Sequence, residues 1–147
     1  TNDAAGVIPR LIDMGVPPFL IASSLILAQA QRLYRKLCPL CEKPTEVNPD
    51  VLVANHIDPA FFEGATLFEA GGCPKCNNIG YKGRGAFMEV LPVLYAIRGA
   101  TVKGSPADVL RNIAIQEGMA TLKDVGLMKV RSGVTSLHAA LEVTGSE

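Results

Sequence analysis

The sequence contains no tryptophan, and aromatic residues make up only 5% of its 147 positions. Binders of single-stranded nucleic acid stack bases on aromatic faces, and such platforms are scarce here. Neither sign of charge is in excess: Lys and Arg number 14, and Asp and Glu number 14. A dedicated nucleic-acid binder shows a basic surplus, so no nucleic-acid partner is expected. No apolar run is long enough to cross a bilayer. The longest, Phe19 to Ala30 (FLIASSLILAQA), covers about 12 residues where roughly 20 are needed, so it reads as a buried core helix and not as a transmembrane segment. There is no initiating methionine, no basic leader and no small-residue cleavage site. Without a secretion signal, disulfides are the weaker reading of the cysteines.

Catalytic motifs are absent as well. No G-x-x-x-x-G-K-[ST] phosphate loop occurs anywhere. Gly80 to Gly85 (GYKGRG) is glycine-rich but lacks that order, and reads as a tight turn into a following strand. No Ser/His/Asp set has a readable spacing. Leu11-Ile12-Asp13 reads as a solvated helix end, and Glu89 sits in a strand pattern with no acid partner. The residues alone point to no catalysis. Hydrophobic residues, at 48% against 19% charged, do make a packed core feasible.

What is present is a doubled Cys-Pro-x-Cys. Cys38, Cys41, Cys73 and Cys76 form the string C-x2-C-x31-C-x2-C. Tetrahedral zinc takes four thiolates, and two short knuckles deliver them in pairs. Pro39 and Pro74 follow the first cysteine of each pair, where proline fits position i+1 of a turn. Backbone N–H groups after that cysteine are expected to point at its sulfur. A redox CxxC explains one pair but not two. An iron–sulfur cluster also uses four thiolates, although its common spacings differ. The expected ligand set is therefore Cys38, Cys41, Cys73 and Cys76, holding a structural Zn²⁺. The spacer, residues 42–72, exceeds the roughly 15–20 residues of zinc ribbons, so the metal would close an inserted subdomain. Arg35, Lys36, Lys43, Lys75, Lys82 and Arg84 lie near the cysteines and would offset the thiolate charge. His56 and His138 read as surface or capping residues, because four cysteines saturate the site. Loss of metal is expected to loosen residues 38–85 more than the helices beyond residue 105.

Around that centre, Asn2 or Asp3 reads as the cap of a helix carrying Val7, Ile8, Leu11 and Ile12 and stopped by Gly15. A second helix runs from Pro18 through Ile21, Leu25 and Ala28, apolar nearly all round and so buried. A strand follows from Gln31, with Leu33, Arg35 and Leu37 alternating against Arg32, Tyr34 and Lys36 and ending at Cys38. Asp58-Pro59 opens a short helix through Phe61, Phe62 and Ala65. Gly85 to Val93 reads as a strand. Ser105-Pro106 starts a helix that Gly118 stops, and Thr121 and Thr135 cap two more. Residue 1 falls just before a helix with no strand ahead of it, so the sequence is expected to enter a domain midway.

Read in order, the motifs carry a resemblance. Thr1-Asn2-Asp3-Ala4 resembles the end of a T-L-H-T-N-D-A segment, and Arg10-Leu11-Ile12-Asp13-Met14-Gly15 an R-L-x-D-M-G helix end. Phe19 to Ser24, Gln31-Arg32-Leu33, the two cysteine pairs and Gly80-Tyr81-Lys82-Gly83-Arg84 follow in the same order. Gly118-Met119-Ala120-Thr121-Leu122 and Gly133-Val134-Thr135-Ser136-Leu137 complete the set. The sequence resembles the type II secretion and type IV pilus assembly ATPases over essentially residues 1–144. Met88, Asp124-Val125-Gly126 and His138-Ala139 depart from the family's wording.

The resemblance implies an α/β fold: the C-terminal part of a RecA-like P-loop NTPase core with an inserted tetracysteine zinc subdomain and a mainly helical C-terminal region. The implied boundaries are 1–37 for the core tail, 38–83 for the zinc subdomain, 84–104 for the return strand and 105–147 for the helices. It also implies a homo-hexameric motor, cytoplasmic and peripheral to the inner membrane, that uses ATP and Mg²⁺ to act on an inner-membrane platform protein. The phosphate loop, Walker B acid and His-box histidine would precede Thr1, so this chain alone would not hydrolyse ATP. Arg84 is then the residue to approach the nucleotide or a neighbouring subunit, with a buttress for the zinc thiolates as its structural alternative. A different class of reading remains: a free-standing tetracysteine zinc module binding protein or nucleic acid. Tight, salt-sensitive binding to DNA or RNA would mark it.

Overall fold

A computed structural model of the chain describes residues 3–144. It is a mixed helix and strand structure that falls into two compact units, one of residues 1–31 and 88–122, the other of 32–87 and 123–147. The described helices are α1 (Val7–Asp13), α2 (Pro18–Ser24), α3 (Pro49–Ala54), α4 (Tyr95–Val102), α5 (Ala107–Gln116), α6 (Leu122–Arg131) and α7 (Leu137–Thr144). The strands are β1 (Leu27–Leu37), β2 (Lys43–Thr45), β3 (Leu67–Glu69) and β4 (Tyr81–Pro92). No helix among the described residues is long and apolar enough to cross a membrane.

The first unit packs α2 on α4 and α4 on α5 around Ile8, Ile21, Leu91, Val93, Ile97 and Leu110. The helix stops are legible in their bonding. Gly15 N–H donates to Ile12 O and Val16 N–H to Leu11 O, and Gly118 and Met119 repeat the pattern at the end of α5. Asp3 does not cap α1: the helix begins at Val7 behind Gly6 with no side-chain cap bond, and Asp3 Oδ1 instead accepts from Gly6 N–H at 2.9 Å within the preceding turn. The alternative cap, Asn2, lies outside the described residues.

Two expectations fail in this unit. The second helix ends at Ser24, so Ala28 belongs to β1, not to a helix. It is not buried all round either: Ile21 and Ala22 are buried, but Phe19 is 64% exposed and Leu20 45%. The physical reason is length. Seven residues make two turns, and a stripe that narrow covers one face only. The α4 helix, which no cap residue announces, begins after Leu94 in extended backbone.

The strand pairing is nested. β1 and β4 form one two-stranded sheet and β2 and β3 another. Bonds from Val93 N–H to Ile26 O and from Cys38 N–H to Gly80 O bracket the β1–β4 ladder, so it runs antiparallel. Inside it, β2 pairs antiparallel with β3, Lys43 opposite Glu69 and Thr45 opposite Leu67. The cysteine pairs sit between the outer and inner pairings.

The strand register corrects the predicted alternation. Tyr34, not Leu33, faces the core: Tyr34 stacks on Phe87 with centroids 4.2 Å apart, whereas Leu33 is 54% exposed. Gly85 makes room for that ring, because a Cβ there would lie 2.5 Å from Tyr34 Cζ. The GYKGRG run is therefore not a turn. From Tyr81 onward it is the first half of β4.

The stretch between the knuckles holds structure that its prolines conceal. Asn48 caps α3 by accepting from Asp50 N–H at 2.9 Å, with Pro49 at the first helical position. Asp58 likewise accepts from Ala60 N–H, but the helix it opens is a 3₁₀ turn ending at Phe62, short of Ala65. At α7 the cap is Ser136, whose Oγ accepts from Ala139 N–H. Thr135, expected in that role, is fully buried and gives its hydroxyl to Arg35 O instead.

Candidate metal centre

Each knuckle is shaped by its own backbone. After β1 ends at Leu37, Cys41 N–H and Glu42 N–H both donate to Cys38 O, with Pro39 and Leu40 on the turn. In the second knuckle Pro74–Cys76 is a 3₁₀ turn, and Cys76 N–H and Asn78 N–H both donate to Cys73 O. Proline costs nothing at these positions, because neither turn needs its N–H.

The four sulfurs come together within 4.8 Å of one another. Cys38 Sγ lies 3.8 Å from Cys73 Sγ, Cys41 Sγ 3.8 Å from Cys76 Sγ, and Cys73 Sγ 3.7 Å from Cys76 Sγ. A tetrahedron with metal–sulfur bonds of about 2.3 Å has edges of about 3.8 Å, so the donor set fits a single four-coordinate ion. These separations also far exceed the roughly 2.05 Å of a disulfide, and all four cysteines are free. Cys38 is fully buried and Cys76 nearly so.

Electrostatic support comes from the backbone. Cys76 Sγ accepts from Cys73 N–H at 3.4 Å and from Gly80 N–H at 3.2 Å, and Cys41 Sγ accepts from Gly72 N–H at 3.2 Å. The sulfurs these amides serve are the second of each pair, where the first was expected. Burial pushes the Cys41 thiol up to about 11. Burial also acts to raise Cys76, but the N–H groups of Cys73 and Gly80, with the thiols of Cys73 and Cys41, outweigh it and bring Cys76 down to about 6.

Gly80 is the residue that sequence reasoning passed over. Its N–H reaches Cys76 Sγ and its carbonyl accepts from Cys38 N–H at 3.0 Å, so one residue touches both knuckles. Its φ of +86° favours glycine, and a Cβ would fall 2.5 Å from Ala70 Cβ. The available signal was a glycine four residues after the last cysteine.

The basic residues expected to offset the thiolates behave differently. Arg35 is committed elsewhere, 2.9 Å from Glu142 and stacked 4.3 Å over the Tyr81 ring. Arg84 is exposed on β4. Among the described residues, no hydrogen bond or ion pair to a thiol sulfur comes from Lys36, Lys43, Lys75, Lys82 or Arg84. His56 and His138 are both exposed and outside the sulfur cluster.

The centre is also tied to the C-terminal helices. Leu37 N–H donates to Val134 O, Thr135 Oγ1 to Arg35 O, and Tyr81 Oη lies 2.6 Å from Ser136 Oγ. Arg131 donates to Phe61 O and Glu63 O, and Lys123 Nζ to Asn55 O. By the division into two units, α7, and α6 beyond Leu122, share a unit with the cysteines, whereas α5 lies in the other unit.

Comparison with known proteins brings relatives into view. The model of a family described as "Type II/IV secretion system protein" matches residues 1–142. The chain is 42% identical over 147 residues to the type IV pilus assembly ATPase PilB of Myxococcus xanthus, covering 99% of this chain and 25% of that protein. It is 42% identical over 144 residues to the PilB of Thermus thermophilus, covering 98% and 16%. Against the type II secretion system ATPase E of Vibrio cholerae it is 40% identical over 144 residues, covering 98% and 28%. The chain thus spans between 16% and 28% of the length of these relatives.

Proposed function

Because this chain belongs to the type II/IV secretion system protein family, we propose that it is the zinc-bearing C-terminal part of a motor ATPase for type IV pilus assembly or type II secretion. Relatives under both names match nearly the whole chain at similar identity, so the reading keeps both systems. The observation that carries it is the cluster of four cysteine sulfurs, all within 4.8 Å of one another and three of their separations at 3.7–3.8 Å, inside a family match over residues 1–142.

In this reading Cys38, Cys41, Cys73 and Cys76 hold Zn²⁺, which, when bound, supplies cross-linking and no redox chemistry. The chain's own groups do the rest. Gly72, Cys73 and Gly80 turn their N–H groups onto sulfur and hold the donors in place. The remainder of the reading follows from family resemblance. Residues 1–37 and 84–104 would complete a RecA-like core, residues 38–83 form the zinc subdomain, and residues 105–147 form the helical region. ATP and Mg²⁺ would bind sequence beyond this chain, which has no phosphate loop. Hexamerisation, a cytoplasmic position at the inner membrane and contact with a platform protein belong to the same proposal. Exposed Arg84 is its candidate contact to nucleotide or to a neighbouring subunit.

Two measurements test it. Elemental analysis of the purified chain is expected to give one zinc per chain, lost in Cys73→Ser, and the chain should release no phosphate from ATP. Iron in place of zinc, or nucleotide-dependent phosphate release, would contradict it. The coding sequence upstream of Thr1 is expected to contain a G-x-x-x-x-G-K-[ST] loop. Its absence there would sink the motor reading and leave the metal assignment intact.

A further inference from the structure

Glu89 is 2% exposed, carries a carboxylate and has no cationic partner among the described residues. Both of its oxygens are nevertheless used. Oε1 accepts from Ala4 N–H at 2.9 Å, and Oε2 accepts from Leu122 N–H at 2.9 Å. The two donors lie far apart in the sequence, one 85 and the other 33 positions from Glu89. Ala4 is in the turn Asp3–Gly6 that leads into α1, and Leu122 is the first residue of α6.

The same turn is held from its other side. Asp3 is buried, its Oδ1 accepts from Gly6 N–H, and its Oδ2 accepts from Arg111 Nε at 2.6 Å. Arg111 belongs to α5. The turn therefore gives one carboxylate to α5 and one amide to Glu89, and Glu89 passes its second oxygen to α6.

A carboxylate is planar and rigid. Its two oxygens cannot shift independently, so a displacement of Ala4 N–H away from Oε1 reorients Oε2 at Leu122 N–H. Burial raises the stakes, because an oxygen that loses its donor has no water to turn to. We propose that Glu89 is a positioning residue that relays movement of the Asp3–Gly6 turn to the first turn of α6. Arg111 fixes the rest position of that turn. Nothing in this relay requires nucleotide. On the motor reading above, it would carry displacements arriving from sequence ahead of Asp3 into the C-terminal helices.

Amide hydrogen exchange on the 147-residue chain tests the relay without ATP. Arg111→Met frees the turn and is expected to speed exchange of the Leu122 amide about tenfold. In a Glu89→Gln background, where the paired acceptor is broken, that extra response should vanish. An equal response in both backgrounds, or none in either, overturns the proposal. A second pair guards against a poorly folded Glu89 variant. Leu122→Pro removes the N–H at a helix position that tolerates proline, whereas Leu122→Ala keeps it. The Ala4 amide should exchange about tenfold faster in Leu122→Pro than in Leu122→Ala, and equal rates would refute the link. Both tests are independent of whether the chain serves a motor.

Discussion

Stripping the metal should loosen a helix that contributes no ligand. Two bonds to the segment leading into α7 sit directly beside the knuckles: Leu37 N–H to Val134 O, next to Cys38, and Tyr81 Oη to Ser136 Oγ, next to Gly80. Each neutral hydrogen bond is worth about 1 kcal/mol net, so their joint loss costs about 2 kcal/mol. The Arg35–Glu142 pair adds little, with both side chains around half exposed. At 1.4 kcal/mol per decade, about 2 kcal/mol is roughly a 25-fold rise in local opening. Amides in the middle of α7 should therefore exchange about 25-fold faster after chelation, and recover on adding zinc. Those in α5, grouped with the other unit, should change less than about threefold. Unchanged α7 protection in metal-free protein would refute the reasoning. So would equal loss in α5 and α7, which would mean that the chain opens as one body.

Gly85→Ala should destabilise the chain by about 1–3 kcal/mol, because its Cβ would meet the Tyr34 ring at 2.5 Å. Urea unfolding checks this, and an unchanged midpoint would show that the ring moves aside freely. In metal-free protein, ultraviolet thiolate absorbance should show a step near pH 6 that is missing from Cys76→Ser. The sign follows from the lowered value. Stabilisation by the Cys76 thiolate is complete above pH 9, the ordinary thiol value, and is lost as pH falls through about 6. No step below pH 8 would contradict the role given to the Cys73 and Gly80 amides.

The cysteine cluster was legible because its information is local. Each Cys-Pro-x-Cys builds its own turn, and the doubling implies that the turns meet. Gly15 and Gly118 were legible for the same reason. The end of the second helix was not, because Leu and Ala favour helix and no turn residue separates α2 from β1; only pairing with β4 makes Leu27 and Ala28 strand. Asn48-Pro49-Asp50 carried a readable helix start that the surrounding prolines masked. Glu89 could not have been read at all. Its partners are backbone amides 85 and 33 positions away, and no side-chain complement marks them.

Gly80 frees the intervening sequence. Its two backbone groups fix the second knuckle and the first residue past β1 in one place, so the register of the outer ladder is settled at the cysteine cluster. Nothing in that register depends on how far the chain travels between Thr45 and Leu67. Residues could be added to or removed from the 46–66 segment while β1 and β4 keep their alignment, since lengthening a closed loop costs only logarithmically in entropy. The cysteine cluster thereby divides the chain into a part whose length is dictated by geometry and a part whose length can drift.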